Sequence, residues 1–184
     1  MLVHRSSHNP QRQRAITPSG HTTSVALLLV SGLPGAGKST YCEWLAQVHD
    51  YIHWETDAHL AEWDQLIMAG PNLQTATAAR TAMRGLGKDV VVEWGFLPKF
   101  LPLVRLMGQV GFDLWWFGGN EVAARQSWQK RSIRLDDRLF DGQLASIQAA
   151  WPRIEPVYRG HTIDTVSPGP THMDNVEIYR HMFG

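Results

Sequence analysis

The segment Gly32-Leu33-Pro34-Gly35-Ala36-Gly37-Lys38-Ser39-Thr40 constrains the chain more than any other. It fits G-x-x-x-x-G-K-[ST], a loop whose glycines turn successive backbone N–H groups toward an anion. The apolar run Val25–Ser31 leads straight into it, as expected for a strand buried on both faces. Lys38–His49 follows with a helical pattern, and its positive N-terminal end adds to the field at the loop. The order strand, loop, helix belongs to a βαβ unit and hence to a sheet with helices on its faces. The motif assigns ATP phosphates to Gly32, Gly35, Ala36, Gly37, Lys38, Ser39 and Thr40. Lys38 is expected at the β- and γ-phosphates, the Ser39 hydroxyl on Mg²⁺, and Thr40 near the α- or β-phosphate.

The rest of the chain continues the alternation. Tyr51–Glu55, Asp89–Trp94, Phe112–Phe117 and His161–Val166 read as strands. Ala58–Met68, Leu73–Leu86, Pro98–Gly108, Glu121–Arg134, Gln143–Tyr158 and Val176–Phe183 read as helices. Gly70-Pro71 ends one of them, and Pro152 and Pro156 are expected to break another. Five strands joined by helices predict a three-layer α/β P-loop domain with a five-stranded parallel sheet, spanning residues 24–184. Ligands of such sheets bind where the strands end, so the residues just past each strand matter most.

Residues 1–23 are rich in His, Ser, Gln, Arg and Pro, and are expected to form a flexible tail. Their arginines, followed by Val25–Val30, resemble a signal peptide only superficially, because the apolar run opens into a phosphate loop and not into a cleavage site. No apolar run reaches the roughly 18 residues of a membrane span. The formal net charge is +0 at pH 7, which argues against a protein held on extended nucleic acid by a broad basic field. A single cysteine, Cys42, rules out an internal disulfide and agrees with a cytoplasmic setting. It is read as a packed residue. The histidines carry no metal-ligand spacing, so no zinc site is expected.

Further positions narrow the chemistry. Asp57, just past the second strand, suits a general base facing the γ-phosphate; it, or Thr56, would equally cap the helix that follows. Glu93 ends the third strand, where a carboxylate organises magnesium-bound water or meets the acceptor. Arg125, Lys130, Arg131 and Arg134 are basic residues of a lid-like segment that can neutralise the transferring oxygens or form a solvated face. Trp54, Trp63, Trp94 and Phe96 lie near these carboxylates in sequence and could wall an acceptor pocket, or simply pack.

Taken together, Gly32–Thr40, Thr56-Asp57, Val90–Phe96 and the Arg125/Arg131 segment give the chain, over about residues 25–166, a family resemblance. It resembles a group of P-loop kinases classed with the AAA-family ATPases. That group is similar to the kinase domain of polynucleotide kinase, gluconate kinase, chloramphenicol phosphotransferase and zeta toxin. The resemblance implies a nucleotide-kinase-like sheet, Asp57 as base, and transition-state roles for Arg125 and Arg131. Glu93 departs from the aspartate of many relatives.

The expected function is therefore an ATP- and Mg²⁺-dependent phosphotransferase acting on a hydroxyl of a small molecule: a metabolite, sugar or antibiotic. Asp57, Glu93, Trp94 and Trp54 are the candidate acceptor residues. Alternatives are a kinase of oligonucleotide 5′-hydroxyls and a regulatory ATPase that acts on a protein partner. The guanine signature N/T-K-x-D is absent, which argues against a GTP switch.

Overall fold

The computed structural model describes residues 25–95, 98–130, 136–169 and 171–184, with residues 66 and 67 by backbone alone. Tail residues 1–23, Phe96, Arg131 and Arg134 lie outside the described residues. The elements run β1 (Leu27–Gly32), α1 (Lys38–His49), β2 (Ile52–Glu55), α2 (Leu60–Met68), α3 (Leu73–Arg84), β3 (Val90–Glu93), α4 (Leu101–Gln109), β4 (Asp113–Gly119), α5 (Glu121–Gln129), α6 (Asp137–Ile154), β5 (Thr162–Ser167), β6 (Thr171–His172) and α7 (Asn175–Phe183).

The strands form one sheet in the order β2-β3-β1-β4-β5-β6. The first five are parallel, and β6 joins β5 antiparallel through Val166↔His172 and Ser167↔Thr171. The expectation of five parallel strands is thereby corrected to six in a mostly parallel sheet. β6 escapes a pattern search because it is only two residues long and turns back through Pro168 and Gly169, a glycine at φ 96°. Chain order reverses beside β1: the connection from β1 to β2 leaves room for β3 on one side, and β4 adds on the other. Ligand crevices open at such a switch point.

Central strands read as continuous apolar runs because both faces are covered. Every residue of β1 and β3 is buried. On one face lie α1 and α7, marked by Tyr41 against Phe117 and by Trp115 near His181. On the other lies α6, whose Trp151 packs on Trp116. A Cβ on Gly108 would come within 2.9 Å of Leu114 Cδ1, so α4 crosses that same face closely.

Two helices differ from expectation. α6 starts at Asp137, well before Gln143, because the Asp136 side chain accepts from the Arg138 N–H and caps it. Its buried residues Phe140, Ile147, Ala150 and Ile154 follow helical spacing. Pro152 sits inside its last turn without ending it, and the break falls at the 3-10 turn Glu155–Val157 that holds Pro156. α5 ends at Gln129, short of the expected Arg134, with Lys130 at its C-cap. Ala124, Trp128 and Phe140 form a separate apolar cluster that joins α5 to α6 beside the phosphate loop.

Candidate active site

The loop between β1 and α1 has the backbone its glycines permit. Gly35 and Gly37 adopt φ 78° and 80°, a region that side chains disfavour. A Cβ on Gly35 would also lie 2.1 Å from the Ala124 carbonyl oxygen of α5. Neighbouring strands hold the loop in place. The Leu33 N–H donates to Phe117 O at 2.9 Å, and the Thr165 hydroxyl donates to Ala36 O at 2.7 Å. Thr165 is buried on β5, so this hydrogen bond ties the loop to a strand far along the chain.

Lys38 opens α1 and is itself buried, with Nζ donating to Leu33 O at 2.9 Å and lying 3.4 Å from Gly32 O. Next to it, the Ser39 hydroxyl donates to Glu93 Oε1 at 2.7 Å. The other oxygen, Oε2, is 3.0 Å from His53 Nε2 on β2. Burial, the largest single influence on Glu93, raises its pKa; the hydrogen bonds from His53 and Ser39 and the charge of Lys38 together outweigh it. The carboxyl therefore titrates below its ordinary range and stands ionised beside the loop. Parallel pairing explains the convergence. Glu55 is paired with Glu93, and His53 with Val91, so all four side chains leave the sheet on the α1 face. On that face Cys42 of α1 is fully buried, and burial first, then Glu93, pushes its thiol well above the usual range. A neutral packed thiol matches the reading of its sequence position.

Lys38, Ser39, Glu55, Asp57 and Glu93 line one cavity of about 270 Å³ at the C-terminal ends of β1, β2 and β3. Asp57 is exposed in the turn after β2. That turn is drawn toward β3 by the Thr56 N–H, which donates to Glu93 O at 3.1 Å. α2 begins only at Leu60, so His59, and not Asp57, occupies the position immediately before the helix. A cavity of about 340 Å³ lies across the sheet between α6 and strands β4 and β5. It is larger, but its lining has neither the lysine nor the carboxylates of the phosphate loop's cleft, so phosphate chemistry belongs to the smaller one.

Not every candidate side chain reaches this cleft. Trp54 pairs with Val92, so it leaves the opposite face from Glu55 and stacks on His59 with ring centroids 3.8 Å apart. Trp94 follows Glu93 and returns to that opposite face, where it packs in the core against Trp63 and Phe100. Strand alternation thus turns both tryptophans away from the cavity that Lys38, Asp57 and Glu93 line. Arg125 is ion-paired with Asp141 of α6, and its guanidinium carbon sits 4.7 Å over the Phe140 ring centroid. It does not line the cavity. Arg131 lies outside the described residues.

Side chains that sequence reasoning passed over take these places. Trp128 of α5 and Leu139 and Gln143 of α6 close the cleft opposite Asp57. The Asp136 cap was the signal that α6 starts early enough to supply Leu139. His172 of β6 hydrogen-bonds Ser127 of α5 at 2.8 Å, and its Nδ1 lies 3.0 Å from where a Cβ on Gly37 would sit.

The donor set fits a magnesium ion. Ser39 offers a hydroxyl and Glu93 a buried ionised carboxylate, both hard oxygen ligands, beside backbone amides at a helix N-terminus that suit phosphate.

No protein-family model and no curated protein sequence matches the chain. Solved structures do match in fold. The chain is similar to a gluconokinase from Sinorhizobium meliloti 1021, with TM-score 0.54, 21% identity, and 86% of this chain and 89% of that one covered. It is also similar to shikimate kinase from Acinetobacter baumannii in complex with shikimate, with TM-score 0.51, 12% identity and 86% and 91% covered. A third similarity is to shikimate kinase from Bacteroides thetaiotaomicron, with TM-score 0.50, 15% identity and 85% and 93% covered. At these identities the likeness establishes a P-loop kinase fold.

Proposed function

We propose that the chain is an ATP-dependent phosphotransferase that moves the γ-phosphoryl group to a hydroxyl of a small molecule. The observation that carries this is the shared cavity: Lys38 and Ser39 of the phosphate loop, Glu93 behind them and Asp57 across from them all face one space. Phosphoryl transfer needs little covalent help from protein and much positioning and charge neutralisation, which is what this set offers. The volume of about 270 Å³ suits a small acceptor. The formal net charge of +0 weighs against extended nucleic acid. The similar solved structures are titled as a gluconokinase and shikimate kinases, one of them in complex with shikimate, and they support a small acceptor.

The roles follow from position. The backbone of Gly32–Thr40 and the ammonium of Lys38 hold the phosphates. Ser39 and Glu93 would hold magnesium, which when bound would supply positive charge to offset that of the phosphates. His53 orients Glu93 through Oε2, leaving Oε1 for the loop side. Asp57 accepts the proton of the acceptor hydroxyl as its oxygen attacks phosphorus and the bond to the bridging oxygen of ADP breaks. Trp128, Leu139 and Gln143 shape the acceptor space, the last two from α6, whose Asp141 pairs with Arg125 of α5. Arg125 and Arg131 are the candidate cations for the transferring oxygens.

The test is transfer of label from γ-labelled ATP to pooled sugars, polyhydroxy acids, nucleosides, antibiotics and 5′-hydroxyl oligonucleotides. Label in a small-molecule pool supports the reading, and label only in oligonucleotides moves the acceptor class. An ATP-binding protein that transfers to none of them contradicts it.

A further inference from the structure

Behind the phosphate loop, three side chains from separate elements converge. Cys42 of α1, His53 of β2 and Glu93 of β3 each present one ligand atom, and these atoms all lie within 4.8 Å of one another. His53 and Glu93 are 40 positions apart in sequence, yet their facing atoms are 3.0 Å apart. The side chains of His53 and Glu93 keep only 14% and 10% exposure, and Cys42 keeps 0%. Glu93 borders the cleft with Lys38 and Ser39, so the route for an ion from the cleft to the triad runs past that carboxylate.

We propose that Cys42, His53 and Glu93 form a binding site for a divalent transition ion of the zinc class, distinct in ligand set from the magnesium position. One sulfur, one imidazole nitrogen and one carboxylate oxygen are a mixed set that zinc and cobalt accept. Magnesium takes oxygen ligands and discriminates against such a set. Zinc-class bonds of roughly 2.0–2.3 Å put tetrahedral ligands roughly 3–4 Å apart, so small side-chain rotations close the triad around an ion. Water completes the fourth position. On binding, the Cys42 sulfur–hydrogen bond gives way to a sulfur–metal bond and the proton leaves to solvent.

The site has a consequence for the loop. Glu93 is shared, with Oε1 on Ser39 and Oε2 on His53. An ion held by His53, Cys42 and Glu93 replaces the His53–Glu93 hydrogen bond and takes up the charge of the same carboxylate that would hold magnesium beside Ser39. Occupation therefore antagonises magnesium-nucleotide binding. This regulatory half rests on the phosphotransferase reading; the ion site does not.

The experiment is a titration of the full chain with Co²⁺ alone, free of nucleotide and Mg²⁺. Cys42 is the only cysteine in the chain, so a thiolate-to-cobalt charge-transfer band in the near ultraviolet reports that sulfur. The expected result is a band that saturates at one equivalent, is removed by stoichiometric Zn²⁺, and is missing from both Cys42→Ala and Cys42→Ser. His53→Ala weakens the apparent affinity about ten-fold or more. Two cysteine variants are used so that at least one retains the wild-type circular dichroism and melting behaviour. A wild-type protein without the band, or a folded cysteine variant that keeps it, overturns the site. The second arm adds Zn²⁺ to the transfer assay at fixed Mg²⁺ and ATP. Inhibition about ten-fold weaker in Cys42→Ala supports the regulatory half, and equal inhibition of both proteins overturns that half alone. Should transfer itself fail, the Co²⁺ titration still decides the site.

Discussion

The Ser39 hydroxyl donates to Glu93 Oε1 at 2.7 Å, across 54 positions of sequence and from the first helix to the end of the third strand. This contact joins the phosphate loop to the carboxylate that His53 braces from the other side. The two oxygens form the magnesium end of the proposed active site, and the same carboxylate meets Cys42. Several expected outcomes follow from who touches it.

Glu93→Gln keeps the size of the side chain and removes the charge. It is expected to weaken Mg²⁺-dependent ATP binding by about 10–100-fold. Isothermal titration with ATP in the presence and absence of Mg²⁺ measures it. Equal losses under both conditions would place the role of Glu93 in folding and not at the metal.

The same substitution has a pH signature. The Glu93 carboxyl is held below its ordinary value of 4.5 by His53, Ser39 and Lys38 against the opposing effect of burial. A carboxyl depressed on folding adds stability that is fully present above its unfolded pKa and lost as pH falls through its folded pKa. Wild type is therefore expected to lose stability faster than Glu93→Gln as pH drops below about 4.5, with parallel behaviour above it. Denaturant unfolding at a series of acid pH values checks this, and identical acid slopes would contradict it.

Lys38→Ala removes the buried ammonium whose Nζ now meets Leu33 O. Transfer is expected to fall about 100-fold or more, because a preorganised charge on the phosphoryl oxygens is gone. Stopped-time assays with labelled ATP at saturating acceptor read the loss. Activity within a few-fold of wild type would remove Lys38 from the phosphate site.

Thr165→Val tests the anchor of the loop. The hydroxyl donates to Ala36 O at 2.7 Å, with Gly118 O at 3.3 Å, in a fully buried setting. Valine keeps the shape and leaves both carbonyls without this donor, at a cost of about 1–3 kcal/mol. Chemical denaturation measures that cost. ATP KM is expected to rise more than kcat falls, since the loop's placement is disturbed and Asp57 is not.

Much of this was legible in the sequence for a physical reason. Gly32–Thr40 is a backbone device whose conformation is written in its glycines, and the runs Leu27–Val30 and Val90–Val92 are buried on both faces and so read as unbroken apolar stretches. The cleft carboxylates Asp57 and Glu93 follow from their places at strand ends, and the structure adds Glu55 to them. Which face a side chain leaves by was less legible. Trp54 and Trp94 are adjacent in sequence to cleft residues, and that adjacency is what turns them away, since strand neighbours alternate. Long-range closure was not legible at all. His172 comes to the loop through a two-residue strand and Leu139 to the cleft through a helix that begins earlier than its apolar pattern suggests, while Thr165, on a strand that was legible, carried no sign of its partner Ala36. Cys42 and His53 lack any local ligand motif; the β2–β3 pairing brings His53 to Glu93, and the packing of α1 on the sheet brings Cys42.

In the proposed reaction Asp57 takes a proton from a small hydroxyl acceptor while the phosphate loop holds ATP. The most direct measurement is labelled-phosphoryl transfer to the acceptor pools by wild type and Asp57→Asn side by side, with ATP affinity measured for both. The expected result is label in a small-molecule pool for wild type, a loss of about 10²–10⁴-fold in the variant, and unchanged ATP binding. Transfer by Asp57→Asn at the wild-type rate would contradict it.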